Sequence, residues 1–510
     1  MKIHNLFPFL CLFAALHANA ATYYVNARTG NDSSSGITPG QPWQSLTKVN
    51  NYHFLPGDKV LFHDGDTWNG QLKPPTSGAE GHPIMFSSYG TGDMPQFNGH
   101  GQFQSTVEIS NVDYITVKNL DITNTGLTPK PHRTGLEIDL SNFGTGKGFL
   151  IDHLYVHDVN GSEIKSAGGG AGIAFNCGGS KIKSRFDGLT IENCHLVRCD
   201  RNGIVGSGNW QRNNWFPSLH VIIKNNLLEH NGGDGIVPIA CDGCIIEHNT
   251  LRDDGWNLPM GEYAAGIWPW SCDNTTVEFN EVSGQHGGGD AQGFDSDWNC
   301  SNTLIQYNYS HNNEGGFLLV CDDGSSGPEY SVGNVGTVVR YNLSVDDGYR
   351  QSGQEHDSPT FHFAGPTNNT FIYNNTVVIG SKPAGTYSNG VLVMSSWHGF
   401  SANSIFKNNI FYATIPVSYE LGQATGTSFV NNDYYGPQTG QPADSSALHI
   451  DPDFLGPTYA AEGSKFWLGF LLQKHSGLIG KGLPINNNGG RDLAGDKLPK
   501  GAVTVGALQK

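Results

Sequence analysis

Asp295 and Asp297 stand two residues apart in the run GFDSDW, Gly293 to Trp298. On an extended strand such positions share one face, and strands disfavour aspartate unless something other than packing requires it. One repeat earlier the matching strand reads GIWPW, which sends Trp268 and Trp270 to the same face. Tryptophan rings are flat apolar platforms with a polar tip, suited to the C–H faces of sugars. Paired carboxylates cleave glycosidic bonds as general acid and general base. Glu314, in HNNEGG one repeat later, completes the catalytic candidates. Loops that enter this face bring His286 and Asp290 (SGQHGGGDAQG), Asp322 and Asp323 (VCDDG), and Glu355, His356 and Asp357 (GQEHDS). Gln292 and His362 point there by register. The substrate-contact candidates are Trp268, Trp270, His286, Asp290, Gln292, Asp322, Asp323, His356 and His362. Residues two apart on a strand are about 6.6 Å apart at the backbone and neighbouring strands about 4.8 Å. An inverting pair needs roughly 6.5–9.5 Å between its carboxyl groups, so Asp295 with Asp297, or either with Glu314, is expected to fit. Close acids raise one another's pKa and keep one of them protonated. Val205, Val237, Ile239, Leu318 and Val320 are expected on the same outer face.

The elements that hold these residues repeat. An apolar-x-x-Asn pattern recurs as IIKNNLL, IIEHNTL, TVEFNEV, LIQYNYS, VVRYNLS, FIYNNTV, IFKNNIF and FVNNDYY. Its asparagines are Asn226, Asn249, Asn280, Asn308, Asn342, Asn375, Asn409 and Asn432. Leu120, Leu154 and Cys194 take that place in three earlier units, which makes eleven. Each unit is too short to bury its own core, so the units must stack. A Gly-apolar strand before each Asn strand (GIAFNC, GIVGSG, GIVPIAC, GIWPWSC, GFDSDWNC, GFLLVC) makes three short strands per coil. Asparagine suits the bend because it tolerates left-handed backbone, and its amide reaches the same group one coil away. Eleven coils at about 4.8 Å predict a rod about 50 Å long.

This repeat resembles the right-handed parallel β-helix proteins of the pectate-lyase-like superfamily. The stretches TYYVNARTGND and GDKVLFHDGDTWNGQLKPPTSGAEGHPIMFSSYGTG are similar to the cap and first coils of its secreted carbohydrate-active members, and DPDF with RDLAGDKLPKGAVTVGALQ to their closing segment. The resemblance implies an all-β, single-stranded right-handed parallel β-helix. Its divisions are a cap and first coils over 21–110, the β-helix with active-face loops over 111–435, and a closing segment over 436–510. The superfamily hosts lyases, hydrolases, epimerases and adhesins. The polygalacturonase-like hydrolases place aspartates on the same sheet, but their NTD, GHG and RIK motifs are absent here, so no residue role carries over.

Charge narrows the reaction. With 29 Lys+Arg against 46 Asp+Glu the formal net charge is −17, which excludes a nucleic-acid phosphate binder. No lysine lies between Asn225 and Ser381, where the arginines are Arg252, Arg340 and Arg350. A groove poor in cations repels a polyuronate, so hydrolysis of a polysaccharide or oligosaccharide that is neutral or weakly charged ranks above β-elimination. The alternatives are a Ca²⁺-assisted lyase or epimerase using His286, His356 or His362 as base, and a glycan-binding rod without catalysis. No cofactor is required, with Ca²⁺ a possible exception. Residues 1–20 read as a signal peptide cleaved after Ala20, which implies secretion or a periplasmic location. No later apolar run is long enough to insert in a membrane. Eight of the nine cysteines follow that segment, and in an exported chain they are expected to form up to four disulfides. Cys177, Cys241, Cys272, Cys300 and Cys321 are expected to stack along one corner. Cys241-x-x-Cys244 lacks the second pair a zinc site needs. The loop 253–265 is expected either to cover the tryptophans or to form a groove wall.

Overall fold

The computed structural model describes residues 20–380, 382–457, 466–499 and 503–509, so all but the last residue of the expected signal peptide lies outside the described residues. The strands stack in register as parallel ladders and build three long sheets. The first runs from Thr22–Val25 to Ser428–Val430 and the second from Thr67–Asn69 to Asp433–Tyr435. The third comes in two runs, Ser105–Ser110 to Asp234–Val237 and Gln292–Ser296 to Gln438–Thr439. Single bridges at Ile236, Ile267 and Phe294 join the two runs. The break falls at Trp268-Pro269-Trp270, because Pro269 has no N–H to give the ladder. The chain is a parallel β-helix. Its first sheet has three strands ahead of the eleven recognised repeats, Thr22–Val25, Lys59–His63 and Ile84–Tyr89. At the ladder position these coils carry Asn26, His63 and Tyr89, and they bring the rod to about 60 Å.

Alternation fills the interior. Ile204, Ile236, Ile267, Phe294, Leu318 and Phe361 form one inward column of the third sheet, all fully buried. The asparagine ladder is continuous: Asn308 N–H and its amide nitrogen donate to Asn342 Oδ1 at 2.9 and 3.0 Å, and the amide also donates to Val277 O at 2.9 Å. The same pattern links Asn226 through to Asn432. The left-handed residue is not the ladder asparagine but its predecessor. Asn225, His248, Phe279, Tyr307, Tyr341, Asn374, Asn408 and Asn431 all have φ between 51° and 61°. Bulky rings bear that conformation because they stack outside the bend, His248 on Phe279 at 5.0 Å and Phe279 on Tyr307 at 4.9 Å. The C-terminal segment runs back along the rod. Leu472, Leu478, Leu493 and Val505 pack with Tyr307, Tyr341, Leu343 and Ile410 in a second apolar cluster.

The expected disulfides are absent among the described residues: all eight described cysteines are free and buried. Cys241, Cys272 and Cys300 stack in register, each backbone N–H donating to the next sulfur at 3.3 and 3.4 Å. In-register strands hold neighbouring Cβ atoms about 4.8 Å apart, wider than the ~3.8 Å a disulfide prefers. Cys321 leaves the expected stack. Phe317 and Leu318 both donate to Thr360 O, at 2.9 and 3.0 Å, a two-against-one bulge. That bulge faces the following coil; toward the preceding strand the register is constant from Gln292 with Gly316 to Ser296 with Val320, so Phe294 pairs with Leu318 and Asp295 with Leu319. Leu318 and Val320 therefore face inward, contrary to the expectation, and Leu319 and Cys321 face outward.

Candidate active site

Register sets two adjacent outward columns on the third sheet. One runs Glu137, Ala174, Val205, Val237, Trp268, Asp295, Leu319, His362. The other carries Asn176, Ser207, Ile239, Trp270, Asp297 and Cys321. Over them lies a cavity of about 530 Å³, with Glu137, Asn176 and Ser207 toward one end, Val205, Val237, Trp268 and Trp270 along it, and Asp297 and Trp298 at the other.

Each tryptophan is held by a different device. Trp268 Nε1 donates to Asp234 Oδ1 at 2.9 Å, and Asp234 is paired with Arg201 at 2.8 Å, both side chains buried. Trp270 stands among rings, 5.0 Å from Trp210 and 5.2 Å from Trp298. The Lys165 ammonium lies 4.8 Å from the centre of the Trp268 ring. Loop 253–265 forms a wall: Tyr263 O accepts from Arg201 at 2.6 Å and the Glu262 carboxylate from the Lys165 N–H at 3.0 Å. Its Trp256 and Met260 are 54 % and 76 % exposed.

Three mutually interacting carboxyl groups mark the far end, and of these Asp297 lines the cavity. Asp297 accepts from Cys321 Sγ at 2.9 Å and from the Trp298 N–H at 2.7 Å. Burial pushes its pKa up to about 6, against the pull of those two hydrogen bonds. Asp295 is only 4 % exposed, with one carboxylate oxygen buried and unpartnered. Burial, and then the Asp297 charge, push its pKa well above the usual carboxylate range. Asp290 rises to about 7 through burial and then through Glu355. Lys165 acts electrostatically on all three. Asp290 and Ala291 both have left-handed backbone, φ 51° and 63°, a strained pair of the sort concentrated at functional sites. Glu355 accepts the Asp290 N–H at 3.0 Å and the Arg350 guanidinium donates to its carbonyl, which holds that conformation.

The other candidates are dispersed. Asp295 and Asp297 each bring a carboxylate oxygen within 4.8 Å of the other, closer than the roughly 6.5–9.5 Å expected of an inverting pair. Glu314 does not line the cavity; it sits 3.3 Å from His286, in a separate depression with Trp256 and Gln354. Burial works to raise its pKa, but the His286 and Gly287 contacts prevail and lower it. Gln292 is buried at the start of the Asp295 strand. Asp322 is buried, which with Asp323 pushes its pKa up to about 6. Asp323 accepts from Ser325 and pairs with His398 at 3.0 Å. His362 follows Asp295 two coils on, bonded to Ser395 Oγ at 2.9 Å, its pKa lowered by burial. His356 is exposed beside Tyr387.

Sequence reasoning missed Lys165, Arg201, Asp234, Trp210 and Cys321. The groove is not devoid of cations, since Lys165 and Arg201 enter from coils ahead of the lysine-free stretch. The sequence held a signal for Asp234, which shares a register row with Asn202 on the same sheet. Lys165 opens a single 3-10 turn, Lys165–Ala167, between strands, without a pattern to read.

Truncating the Trp268 platform, Trp268→Ala, removes roughly 1.5–3 kcal/mol of apolar contact. KM for a glycan ligand is expected to rise about 10- to 100-fold with kcat changed less, as initial-rate kinetics would show. An unchanged KM would place the sugar elsewhere.

A model described as "Right handed beta helix region" matches residues 182–343. A lacto-N-biosidase from Bifidobacterium longum subsp. longum is 30% identical over 88% of this chain, and the chain spans 32% of that relative's length. Among solved structures, a GH136 lacto-N-biosidase from Eubacterium ramulus matches with a TM-score of 0.62 at 23% identity, over 82% of this chain and 68% of that one. XylC in complex with xylose matches with a TM-score of 0.52 at 12% identity, over 96% and 98%. These structural likenesses support the right-handed parallel β-helix fold.

Proposed function

We propose that the protein is a glycoside hydrolase acting on a neutral oligosaccharide, with its reaction centre at Asp290 and Asp297. The observation that carries the reading is the set of buried carboxyl groups with raised pKa at the end of a tryptophan-lined groove, an arrangement a purely glycan-binding rod does not require. Asp297 is the ionised member. It lines the cavity and accepts two hydrogen bonds that favour its charge, so it supplies negative charge to the anomeric carbon as an oxocarbenium-like state develops. Asp290, with its pKa near neutrality, donates the proton to the departing oxygen. Asp295, buried beside Asp297 on the same face, is pushed toward its neutral form by burial and then by the Asp297 charge. Lys165 limits mutual repulsion among the acids. The reaction asks for no metal, and turnover is expected to survive chelation by EDTA.

The pair sets a pH optimum. Below about 6 Asp297 takes up a proton and loses its charge; above about 7 Asp290 loses the proton it must give. A bell-shaped kcat/KM profile centred between those values is expected, its limbs belonging to the coupled pair. Asp290→Asn should abolish the alkaline limb in the residual activity. A profile flat from pH 5 to pH 9 would remove both residues from the mechanism.

The name of the Bifidobacterium longum relative suggests the ligand: a lacto-N-biose unit bound in the groove and released on hydrolysis. The test is incubation with an oligosaccharide that contains lacto-N-biose beside a panel of other neutral glycans. Release of the disaccharide supports the assignment. Turnover of other glycans with that one untouched moves the specificity but keeps the reaction, and binding without turnover of any glycan leaves a lectin-like rod.

A further inference from the structure

The geometry points to a binding site for a thiophilic divalent cation, Zn²⁺ above all, formed by Asp295, Asp297 and Cys321. Their donor atoms lie within 4.8 Å of one another, and this is the one such group of three or more metal-binding side chains among the described residues. Three ligands spaced this closely need only small side-chain rotations to reach Zn–O distances of about 2.0–2.2 Å and a Zn–S distance of about 2.3 Å.

Two further observations set the cluster apart from an ordinary patch of acids. Asp295 is 4 % exposed, and its Oδ1 is buried with no hydrogen-bond partner, so an acceptor of the kind a cation satisfies is already desolvated there. Cys321 is present because of a specific backbone device. The register set by Gln292 with Gly316, one residue out from an alignment of the Gly-Phe pairs, turns the sulfur out of the interior and places it 2.9 Å from Asp297. Without that shift the strand would present Val320 at the same row.

The donor set selects the ion. Ca²⁺ and Mg²⁺ take all-oxygen shells of six or more ligands, whereas one thiolate with two carboxylates suits Zn²⁺, whose fourth position would open into the groove. On binding, the cation displaces the Cys321 thiol proton and the Asp295 carboxyl proton to solvent. Metal–sulfur and metal–oxygen contacts form, and no electron is transferred. Occupancy neutralises Asp297 and fills the end of the groove, so micromolar Zn²⁺ inhibits competitively with the glycan. The inhibition rests on the hydrolase reading; the binding does not.

Calorimetric titration of the metal-free full chain with Zn²⁺ is expected to show one ion per chain, weakened at least 100-fold in Cys321→Ser and undisturbed by millimolar Ca²⁺. Titration with Co²⁺ reads the same site without any variant, through the thiolate-to-cobalt charge-transfer band. Equal Zn²⁺ affinity in Cys321→Ser, displacement by Ca²⁺, or a bound cobalt ion lacking that band would overturn the site. Zn²⁺ bound as described but without effect on turnover would uphold the site and count against Asp297 as a catalytic residue.

Discussion

Asp297→Asn lowers kcat by about 10³-fold or more, a loss on the order of 4 kcal/mol of transition-state stabilisation, while leaving the fold intact. The amide is nearly isosteric and keeps an acceptor for the Trp298 N–H and the Cys321 thiol, so what is removed is charge. In a site this buried the carboxylate is not replaced by water, and its charge acts at low dielectric on the developing positive centre. Asp295→Asn is the informative companion. Burial and then the Asp297 charge push that group toward its neutral form, so replacing it with a neutral amide should cost no more than about tenfold. Equal losses in both variants would make the two aspartates interchangeable members of one dyad and withdraw the separate role of Asp297. Rates measured at the optimum pH of each variant exclude a shifted profile as the cause.

Asn308→Ala is the change with the largest expected effect on stability. Asn308 sits in the middle of the ladder, fully buried. Its Oδ1 accepts from the Asn280 N–H at 2.9 Å and the Asn280 amide at 3.1 Å, and its own amide donates to Val277 O and Asn342 Oδ1. Alanine takes the side-chain partner from the Asn280 N–H and Val277 O, while Asn342 Oδ1 keeps the Asn308 N–H and the Asn280 amide keeps Ile246 O and Glu278 O. At about 1–3 kcal/mol for each unsatisfied group, partly relieved by relaxation, the loss is about 3–5 kcal/mol. For a chain of this size that is a fall in Tm of roughly 3–5 °C. Because a solenoid coil contacts only its neighbours, the loss is expected to loosen the coils beside Asn308 first, and hydrogen exchange would show faster amides around Asn280 and Asn342 than near Phe62. An unchanged Tm would mean that the ladder fixes register without adding stability.

The fold was legible because its driving pattern repeats. Apolar alternation and the recurring asparagine mark each coil locally, and stacking is the solution such short units allow. What escaped depended on one-residue details. The left-handed position lies just before the ladder asparagine, where stacked rings tolerate it, and no propensity rule places Phe279 or Tyr307 there. The second and third coils lack the asparagine, and with it present only at Asn26 in the first the N-terminal coils went uncounted. Parity of the strand after Glu314 failed because Gly316 pairs with Gln292 and not with Gly293, and a one-residue offset leaves no mark on alternation when all the neighbours are apolar.

The site was legible in outline for the same reason. Trp268, Trp270, Asp295 and Asp297 follow the register of the third sheet, which carries them to one face even where Pro269 interrupts the ladder. Glu314 and His286 sit on loops, and the loops turn them into a depression of their own. Lys165 and Arg201 come from coils ahead of the acids, so a count of cations confined to residues 225–381 misjudged the groove.

The most direct test of a carboxylate-based hydrolase centred on Asp297 is product analysis of the parent protein and Asp297→Asn against neutral and acidic glycans. It follows new reducing ends together with the ultraviolet absorbance of an unsaturated uronate. The account predicts new reducing ends from a neutral glycan, without that absorbance and lost in the variant. Rising absorbance, or reducing ends released equally by Asp297→Asn, would contradict it.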